Sequence, residues 1–242
     1  MKSGILRLEN LSWKDLEGLD RAKALVVVPA SPLEEHGPHL PLGVDLFQAT
    51  YFSEKLAEEI VRRRPDQLVL MHPPIPLGTW TLDMIGSIEV RQRVIRDLLV
   101  DVGASLAKHG FGYLVVMNGH GGPGHIVAQE EACSTLRWRH GINAIAPVGQ
   151  MIDGLFTGGY VAKIGAALTA RGGTLDPATL AADYHAGAVE TSLMLHICPH
   201  LVQDGWKDYP PVVVERTRLR LSSGQSAGTG QGYLGSPANA SA

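Results

Sequence analysis

The sequence predicts an α/β fold, a three-layer α/β/α arrangement around a mostly parallel central sheet. Short apolar runs of strand length alternate along the chain with longer segments whose apolar residues have helical spacing. The chain has 242 residues, 45% of them hydrophobic and 19% charged, which is enough to build a substantial core. We expect one domain over residues 1–221 and a loosely ordered tail rich in Gly, Ser and Ala over residues 222–242.

The first half of the chain supplies two strand–helix units. A short helix is predicted within 11–21, with Ser12 as a candidate cap. The apolar run 24–29 predicts a buried strand, and 46–64 predicts a helix. A second strand is expected over 67–71 and a further helix over 90–109.

The second half continues the same alternation. A strand is predicted over 113–117, a helix over 125–140 and a strand over 143–147. The glycine-rich region 150–183 is less periodic and is a candidate lid or oligomer contact. Helical spacing returns over 189–197, and 212–214 is a candidate strand.

Two chemically rich loops follow predicted strands directly, at 30–45 and 118–124. Right-handed crossovers place the loops that follow parallel strands on one edge of the sheet. In such folds the ligand crevice lies outside the carboxyl ends of the strands. The two loops are therefore expected to contribute to one site.

Carboxylates and imidazoles are concentrated in three segments: Glu34, His36 and Asp45; His120; and His185 with Glu190. In an extended loop Glu34 and His36 share a face, while Glu35 points away. Hard oxygen and borderline nitrogen ligands suit a divalent metal. Six candidates exceed the need of a single ion, which favours two ions bridged by Asp45. A lone histidine in a glycine loop is commonly a turn residue, so this hypothesis depends on the coincidence of all three segments.

The three segments resemble the signature blocks of the creatininase (creatinine amidohydrolase) family. The blocks are Glu34-Glu-His-Gly-Pro-His-Leu-Pro-Leu-Gly-Val-Asp45, Asn118-Gly-His-Gly-Gly and His185-Ala-Gly-Ala-Val-Glu-Thr-Ser192. They occur in the family's order, and the resemblance extends over roughly residues 20–237. It implies a single α/β/α domain, usually hexameric, with a dinuclear zinc, manganese or iron centre that hydrolyses a non-peptide amide C–N bond.

The resemblance assigns roles residue by residue. Four residues match family ligands: Glu34, His36, Asp45 and His120. Creatininase has a glutamate two residues after the histidine of the second block, where this chain has Gly122. Glu190 is therefore expected to supply the missing carboxylate and, with His185, to be catalytic.

The implied reaction is attack of an activated water on the amide carbonyl, with His185 giving a proton to the leaving nitrogen. Glu35 is a less suitable alternative donor. His39 either orients a ligand through a hydrogen bond or is a loop residue, and Glu35 has the same candidate orienting role. Four residues are candidate substrate contacts: Trp80, Asp83, Gly121 and Gly122. An aromatic residue such as Trp80 in a loop is also common in packing.

Segment 78–88 departs from the Phe-Pro-Gly-Thr run of many relatives, so the resemblance does not imply creatinine itself as the substrate. We expect a metal-dependent amidohydrolase that acts on a small cyclic or formyl-type amide. One alternative is a maturation peptidase of a modified peptide, of the mycofactocin type. The other is a non-catalytic relative that binds a metal or a ligand.

Charge and hydropathy limit the partners. A net charge of −3 gives no reason to expect nucleic acid or an anionic membrane. No run of about 18 apolar residues is present, so we expect a soluble, cytoplasmic protein. The resemblance implies a homo-oligomer, usually a hexamer. Cys133 and Cys198 lie in apolar helical patterns and are expected to be buried thiols, not a disulfide.

Overall fold

The structure, a computed structural model, describes residues 4–156, 166, 182–213 and 230–241. The strands of its sheet are β1 (Gly4–Arg7), β2 (Leu25–Pro29), β3 (Leu68–Met71), β4 (Tyr113–Met117) and β5 (Asn143–Ile145). The helices are α1 (Trp13–Glu17), α2 (Val44–Arg63), α3 (Gln92–Lys108), α4 (Pro123–His140), α5 (Val148–Phe156) and α6 (Ala188–Ile197). Short 3-10 helices span Leu8–Asn10, Pro199–Leu201, Trp206–Asp208 and Pro237–Asn239.

The five strands form a parallel sheet in the order β1-β3-β2-β4-β5. β2 and β4 pair over their whole length, from Leu25 opposite Tyr113 to Pro29 opposite Met117. With helices between successive strands, this sheet confirms the predicted α/β fold class. β1 is absent from the prediction and adds an edge strand beside β3.

Both faces of the sheet are buried, as expected for a parallel sheet between helices. One face contributes Val26 and Leu114 to a core in which Ile95 of α3 and Leu136 of α4 are also buried. Val27, which points to the opposite face, is fully buried as well. The near-continuous apolar runs of the strands follow from this burial on both sides.

Local signals set the helix ends. Ser12 and Asp15 form a reciprocal capping box at the start of α1. Pro123 occupies the first turn of α4, and Gly141, with φ +68°, ends it in the left-handed conformation. Over the described ranges, no helix combines the length and the apolar character needed to cross a membrane.

The sheet changes its direction of growth between β2 and β4. After β2 the chain passes to β3 on one side, and the next strand, β4, lies on the other side of β2. Ala30 donates its N–H to the carbonyl oxygen of Met117 at 2.8 Å, so the pairing continues to the strand ends. Ser31 and Asn118 follow at once, at the kind of switch point where α/β folds bind ligands.

The chain divides into two compact units. The first unit comprises Met1–Leu33, Asp45–Trp80 and Ile88–Val148, and it contains the sheet and its core. The second comprises Glu34–Val44, Thr81–Ser87 and Gly149–Ala242, and it contains α6. The single domain over residues 1–221 stays a prediction.

The C-terminal segment 230–241 is firmly integrated into the second unit. Leu234 forms an antiparallel bridge with His185. Tyr233 and Leu234 are only 2% and 4% exposed. The expectation of loose order is therefore wrong for these residues, because backbone pairing and two buried apolar side chains hold them. Residues 222–229 of the predicted tail lie outside the described residues.

Two other expectations change. Val212 and Val213 do not form the candidate strand; the Val212 N–H instead donates to the carbonyl oxygen of Gly235 at 2.8 Å. Val214 lies outside the described residues. The candidate lid region begins with α5, but its residues 157–165 and 167–181 also lie outside them.

Candidate active site

In the first unit the structure brings Asp45 and His120 together. Asp45 lies in the first turn of α2 and is 1% exposed, and its Oδ2 is 3.1 Å from Nδ1 of His120. The other ring nitrogen of His120, Nε2, is 3.2 Å from the carbonyl oxygens of Thr79 and Trp80. A carbonyl oxygen can only accept, so Nε2 carries a hydrogen, and in the neutral ring Nδ1 presents its lone pair to the Asp45 carboxylate. A cation held by Asp45 and His120 would offset the repulsion between these lone pairs.

Three of the candidate substrate contacts lie around His120. Trp80 is 47% exposed, its φ is +64°, and its indole packs against the backbone of Gly124 in α4. The packing interpretation of Trp80 therefore has a definite partner. Gly122 leaves no room for a side chain, because a Cβ there would meet Nε2 of His120. Gly121 is exposed, and a Cβ there would meet no described atom within 4 Å.

Two buried polar residues of α4, His125 and Gln129, lie close to His120. The ring of His125 is fully buried and its centroid is 5.5 Å from that of His120. Burial, together with the nearby His120, lowers the pKa of His125 to about 3, so its ring is neutral. Gln129 donates to the carbonyl oxygen of Ala30 at 3.0 Å and lies 2.9 Å from Nε2 of His125.

In the second unit Glu34 and His36 occupy a buried loop, each 1% exposed. The backbone N–H of Leu82 donates to Oε1 of Glu34 at 2.5 Å. Nδ1 of His36 donates to the carbonyl oxygen of Glu34 at 3.0 Å, which leaves Nε2 as the lone-pair nitrogen. Nε2 is 3.7 Å from Oε2 of Glu190. Asp83, the fourth candidate substrate contact, is exposed and follows Leu82.

His185 lies against Glu35 and His36. Its Nε2 donates to the carbonyl oxygen of Glu35 at 2.7 Å and is 3.6 Å from the side-chain Oε1 of the same residue. The His185 and His36 ring centroids are 4.3 Å apart. Burial and His36 lower the pKa of His185, but nearby carboxylates more than compensate, so the pKa is raised overall. Those carboxylates belong to Glu34, Glu35 and Glu190.

Glu190 is placed by the first turn of α6. Its Oε2 accepts from the backbone N–H of Ala186 at 2.5 Å, and a carboxylate is favourable at a helix N-terminus. Asp183 accepts the N–H of Val189 at 2.7 Å and so satisfies another free donor of this turn. Burial raises the pKa of Asp183 to about 7.

His39, a candidate orienting residue, lies in the loop before α2 and contacts α6, the helix that carries Glu190. It is fully buried, and its Nε2 is 2.9 Å from the hydroxyl oxygen of Thr191. The rings of Tyr209 and Tyr233 pack around it, with centroids at 5.5 and 6.2 Å. Burial, followed by the charge of His36, lowers the pKa of His39 to about 4. The orienting role of His39 stays a prediction.

Sequence reasoning missed several residues that hold these groups in place. Ser31, Asn118 and Asp183 are hydrogen-bonded beside predicted ligands. The partner of Ser31 is far along the chain, so spacing could not identify it, whereas Asn118 and Asp183 bond to backbone groups two and six residues ahead of them. The apolar pair Tyr233-Leu234 inside a glycine- and serine-rich stretch was a usable signal for a fixed C-terminal segment.

The donor atoms fit a divalent cation. One ligand atom from each of Glu34, His36 and His185 lies within 4.8 Å of the others. Asp45 and His120 supply an oxygen and a nitrogen 3.1 Å apart. The set combines carboxylate oxygen with imidazole nitrogen, which suits zinc and manganese.

Comparisons with known proteins agree with this chemistry. The family model described as "Creatininase: Creatinine amidohydrolase" matches residues 9–242. A "Mycofactocin precursor peptide peptidase" of Mycolicibacterium smegmatis is 29% identical over 90% of this chain and 76% of its own length. A "Creatinine amidohydrolase" of Pseudomonas putida is 26% identical over 83% of this chain and 75% of its own length.

A solved structure described as "Creatininase Mn" has the same fold. It has a TM-score of 0.68 and 23% identity, with 99% of this chain and 90% of the other covered. The family match covers nearly the whole chain, and the solved structure shares its fold. The chain therefore belongs to the creatininase family of hydrolases.

Proposed function

We propose that the chain is a metal-dependent amidohydrolase that cleaves a C–N bond of a small cyclic or formyl-type amide with water. In this proposal it binds two divalent ions, zinc, manganese or iron, with Asp45 as the bridge. The ligands are Glu34, His36, Asp45, His120 and Glu190. Such ions supply Lewis-acid polarisation of a carbonyl group and activation of water.

The main support for this proposal is the orientation of the His36 and His120 rings. His36 and His120 each give one ring N–H to a backbone carbonyl, and each leaves its other nitrogen near a carboxylate. Histidines that bind metals almost always donate their second nitrogen in this way, because the hydrogen bond fixes both the tautomer and the ring orientation. The solved relative described as "Creatininase Mn" adds support for manganese.

His185 delivers the proton that the leaving nitrogen needs in this mechanism. An imidazole is suited to that step because its ordinary pKa lies near neutrality. The carbonyl oxygen of Glu35 holds Nε2 at 2.7 Å and so fixes the plane of the ring. Glu190 keeps its carboxylate in place through the Ala186 N–H.

A peptide substrate is the second candidate. The relative named a mycofactocin precursor peptide peptidase is 29% identical, against 26% for the relative named a creatinine amidohydrolase. Peptide and cyclic amides share the same carbonyl chemistry, so the residues above serve either. A panel that includes creatinine, formamides and short peptides separates the two candidates.

Assembly and location remain predictions. The proposal includes a homo-oligomer, a hexamer by family resemblance, in the cytoplasm, with no nucleic acid or membrane as partner. Size-exclusion chromatography with light scattering measures the assembly directly.

The first experiment is elemental analysis of the protein purified without chelator, beside Glu190→Gln. We expect about two ions per chain in the parent and fewer in the variant, because an amide is a much weaker ligand than a carboxylate. Glu58→Gln is the matched control, since Glu58 is an exposed residue paired with Lys55. It should keep the parent's metal content.

One ion or none in the parent, even after incubation with zinc or manganese, would contradict the two-metal mechanism. Full metal content without turnover of any amide in the panel would favour the non-catalytic alternative.

A further inference from the structure

The C-terminal segment holds the backbone of His185. The His185 N–H donates to the carbonyl oxygen of Leu234 at 3.1 Å, and the Leu234 N–H donates back to His185 at 2.8 Å. The Tyr184 N–H donates to the same Leu234 carbonyl at 2.8 Å. The main chain of the proposed proton donor is thus fixed by a segment distant in sequence.

The same segment confines the side chain of Glu35. Gly232 has φ +72°, and a Cβ at this position would meet Oε2 of Glu35. That oxygen also accepts the N–H of Gly37 at 3.0 Å. The carboxylate is therefore held between two backbone groups, and its other oxygen, Oε1, is directed to Nε2 of His185 at 3.6 Å.

We propose that residues 232–235 are part of the catalytic apparatus, in which they position Glu35 and, through it, the imidazole of His185. Leu234 fixes the position of the His185 backbone through hydrogen bonds, and Gly232 packs against the Glu35 carboxylate and fixes its position. Glu35 and the segment are positioning residues, since neither needs to touch the substrate. The contribution of this positioning to catalysis rests on the proposed function, but the positioning of His185 itself can be tested without a substrate.

The chain offers a matched pair of glycines for the test. Gly230 and Gly232 both have left-handed backbones, with φ +78° and +72°. A Cβ at Gly230 would meet no described atom within 4 Å, whereas one at Gly232 would meet Glu35. Gly230→Ala and Gly232→Ala therefore carry the same kind of backbone strain, and they differ in the displacement of Glu35.

The measurement is the ¹³Cε1 spectrum of histidine-labelled, metal-loaded protein. The chain has ten histidines, and His185→Gln identifies the His185 signal by its loss. We expect Gly232→Ala to shift the His185 signal and Gly230→Ala to leave it at the parent's position. Once an amide substrate is known, Gly232→Ala should lower kcat about 10- to 100-fold with little change in KM. A misplaced catalytic group lowers the rate of the reaction more than it weakens substrate binding.

Glu35→Gln provides a second variant if Gly232→Ala does not fold. It keeps the size of the side chain but replaces the carboxylate that faces His185, so it should also shift the His185 signal. An unchanged signal in Gly232→Ala, or in Glu35→Gln where that variant is the one that folds, overturns the proposal. A shifted signal without activity on any amide supports the positioning role and counts against the proposed function alone.

Discussion

The hydroxyl of Ser31 donates to Oδ1 of Asn118 at 2.9 Å and so joins the loops that follow β2 and β4. The same hydroxyl accepts the N–H of Gly119 at 2.8 Å. Asn118 in turn accepts the N–H of His120 at 2.8 Å and donates to its carbonyl oxygen at 2.6 Å. Both polar side chains are buried, so they form a clamp on the backbone of a predicted ligand.

Ser31→Ala should weaken this clamp. Gly119, which is partly buried, loses its acceptor, and the buried Asn118 loses a donor, which together cost about 1–3 kcal/mol of unfolding free energy. Metal affinity should fall as well, because the His120 loop gains freedom. Urea unfolding and competition with a metal chelator measure the two effects.

Ser53→Ala is the control for Ser31→Ala. Ser53 is equally buried, but its hydroxyl donates to the Ala49 carbonyl within α2. That carbonyl belongs to a helical turn, so the loss should stay below about 1 kcal/mol. Equal losses of metal affinity in both variants would contradict a specific role for Ser31.

Gly122→Ala should displace His120. The backbone of Gly122 has φ −59° and ψ 119°, which alanine adopts without strain, so the added methyl acts through its contacts with the His120 ring and with the carbonyl oxygen of Trp80. We expect lower metal content and weaker affinity by isothermal titration. Gly121→Ala, whose methyl would enter open space among the described residues, should bind metal as the parent does. Identical affinities in the two variants would refute the steric explanation.

His39 should make the protein sensitive to mild acid. Its pKa is about 4 in the folded chain, against an ordinary value of 6.5, so the unfolded chain takes up the proton first as the pH falls. The contribution of the neutral, buried His39 to the free energy of unfolding is therefore fully present above pH 6.5. It is lost as the pH falls from 6.5 to 4, at about 1.4 kcal/mol per pH unit. Unfolding free energy measured across this range should fall less steeply in His39→Gln. Parallel curves would show that His39 is not held neutral.

The two cysteines should differ in reactivity. Burial raises the pKa of the Cys133 thiol to about 12, while Cys198 is only partly buried. Thiolate is the reactive form, so iodoacetamide at pH 8 should modify Cys198 and spare Cys133 in the native protein. Peptide mass spectrometry assigns the sites, with both modified in urea as the control. Rapid native modification of Cys133 would contradict its position in the core.

The sheet could be predicted because its interior strands are unbroken apolar runs. The strand 113–117 was predicted to the residue, and α2 begins two residues before its expected start at 46. β1 was missed because none of its four residues is fully buried: Gly4 and Leu6 are half-buried, while Ile5 is 41% exposed. Its pairing with β3 becomes visible only in three dimensions.

The candidate metal ligands of the site could be predicted from the sequence, but the residues that hold them in place could not. Glu34 and His120 were found by residue type and by their position after strands. Ser31 and Leu234 contribute through partners far along the chain, and no local pattern records such a contact. Composition also gave a wrong expectation for the C-terminal region. Its many glycines and serines predicted loose order, although two of its apolar residues are buried.

The central position of β2 and β4 has a consequence for the exchange of amide hydrogens. Each strand is paired on both sides, β2 with β3 and β4, and β4 with β2 and β5. Their amides can exchange with solvent only when the sheet opens as a whole. We therefore expect this frame to stay intact when a chelator removes bound metal, so that the protein should take up a new ion without refolding.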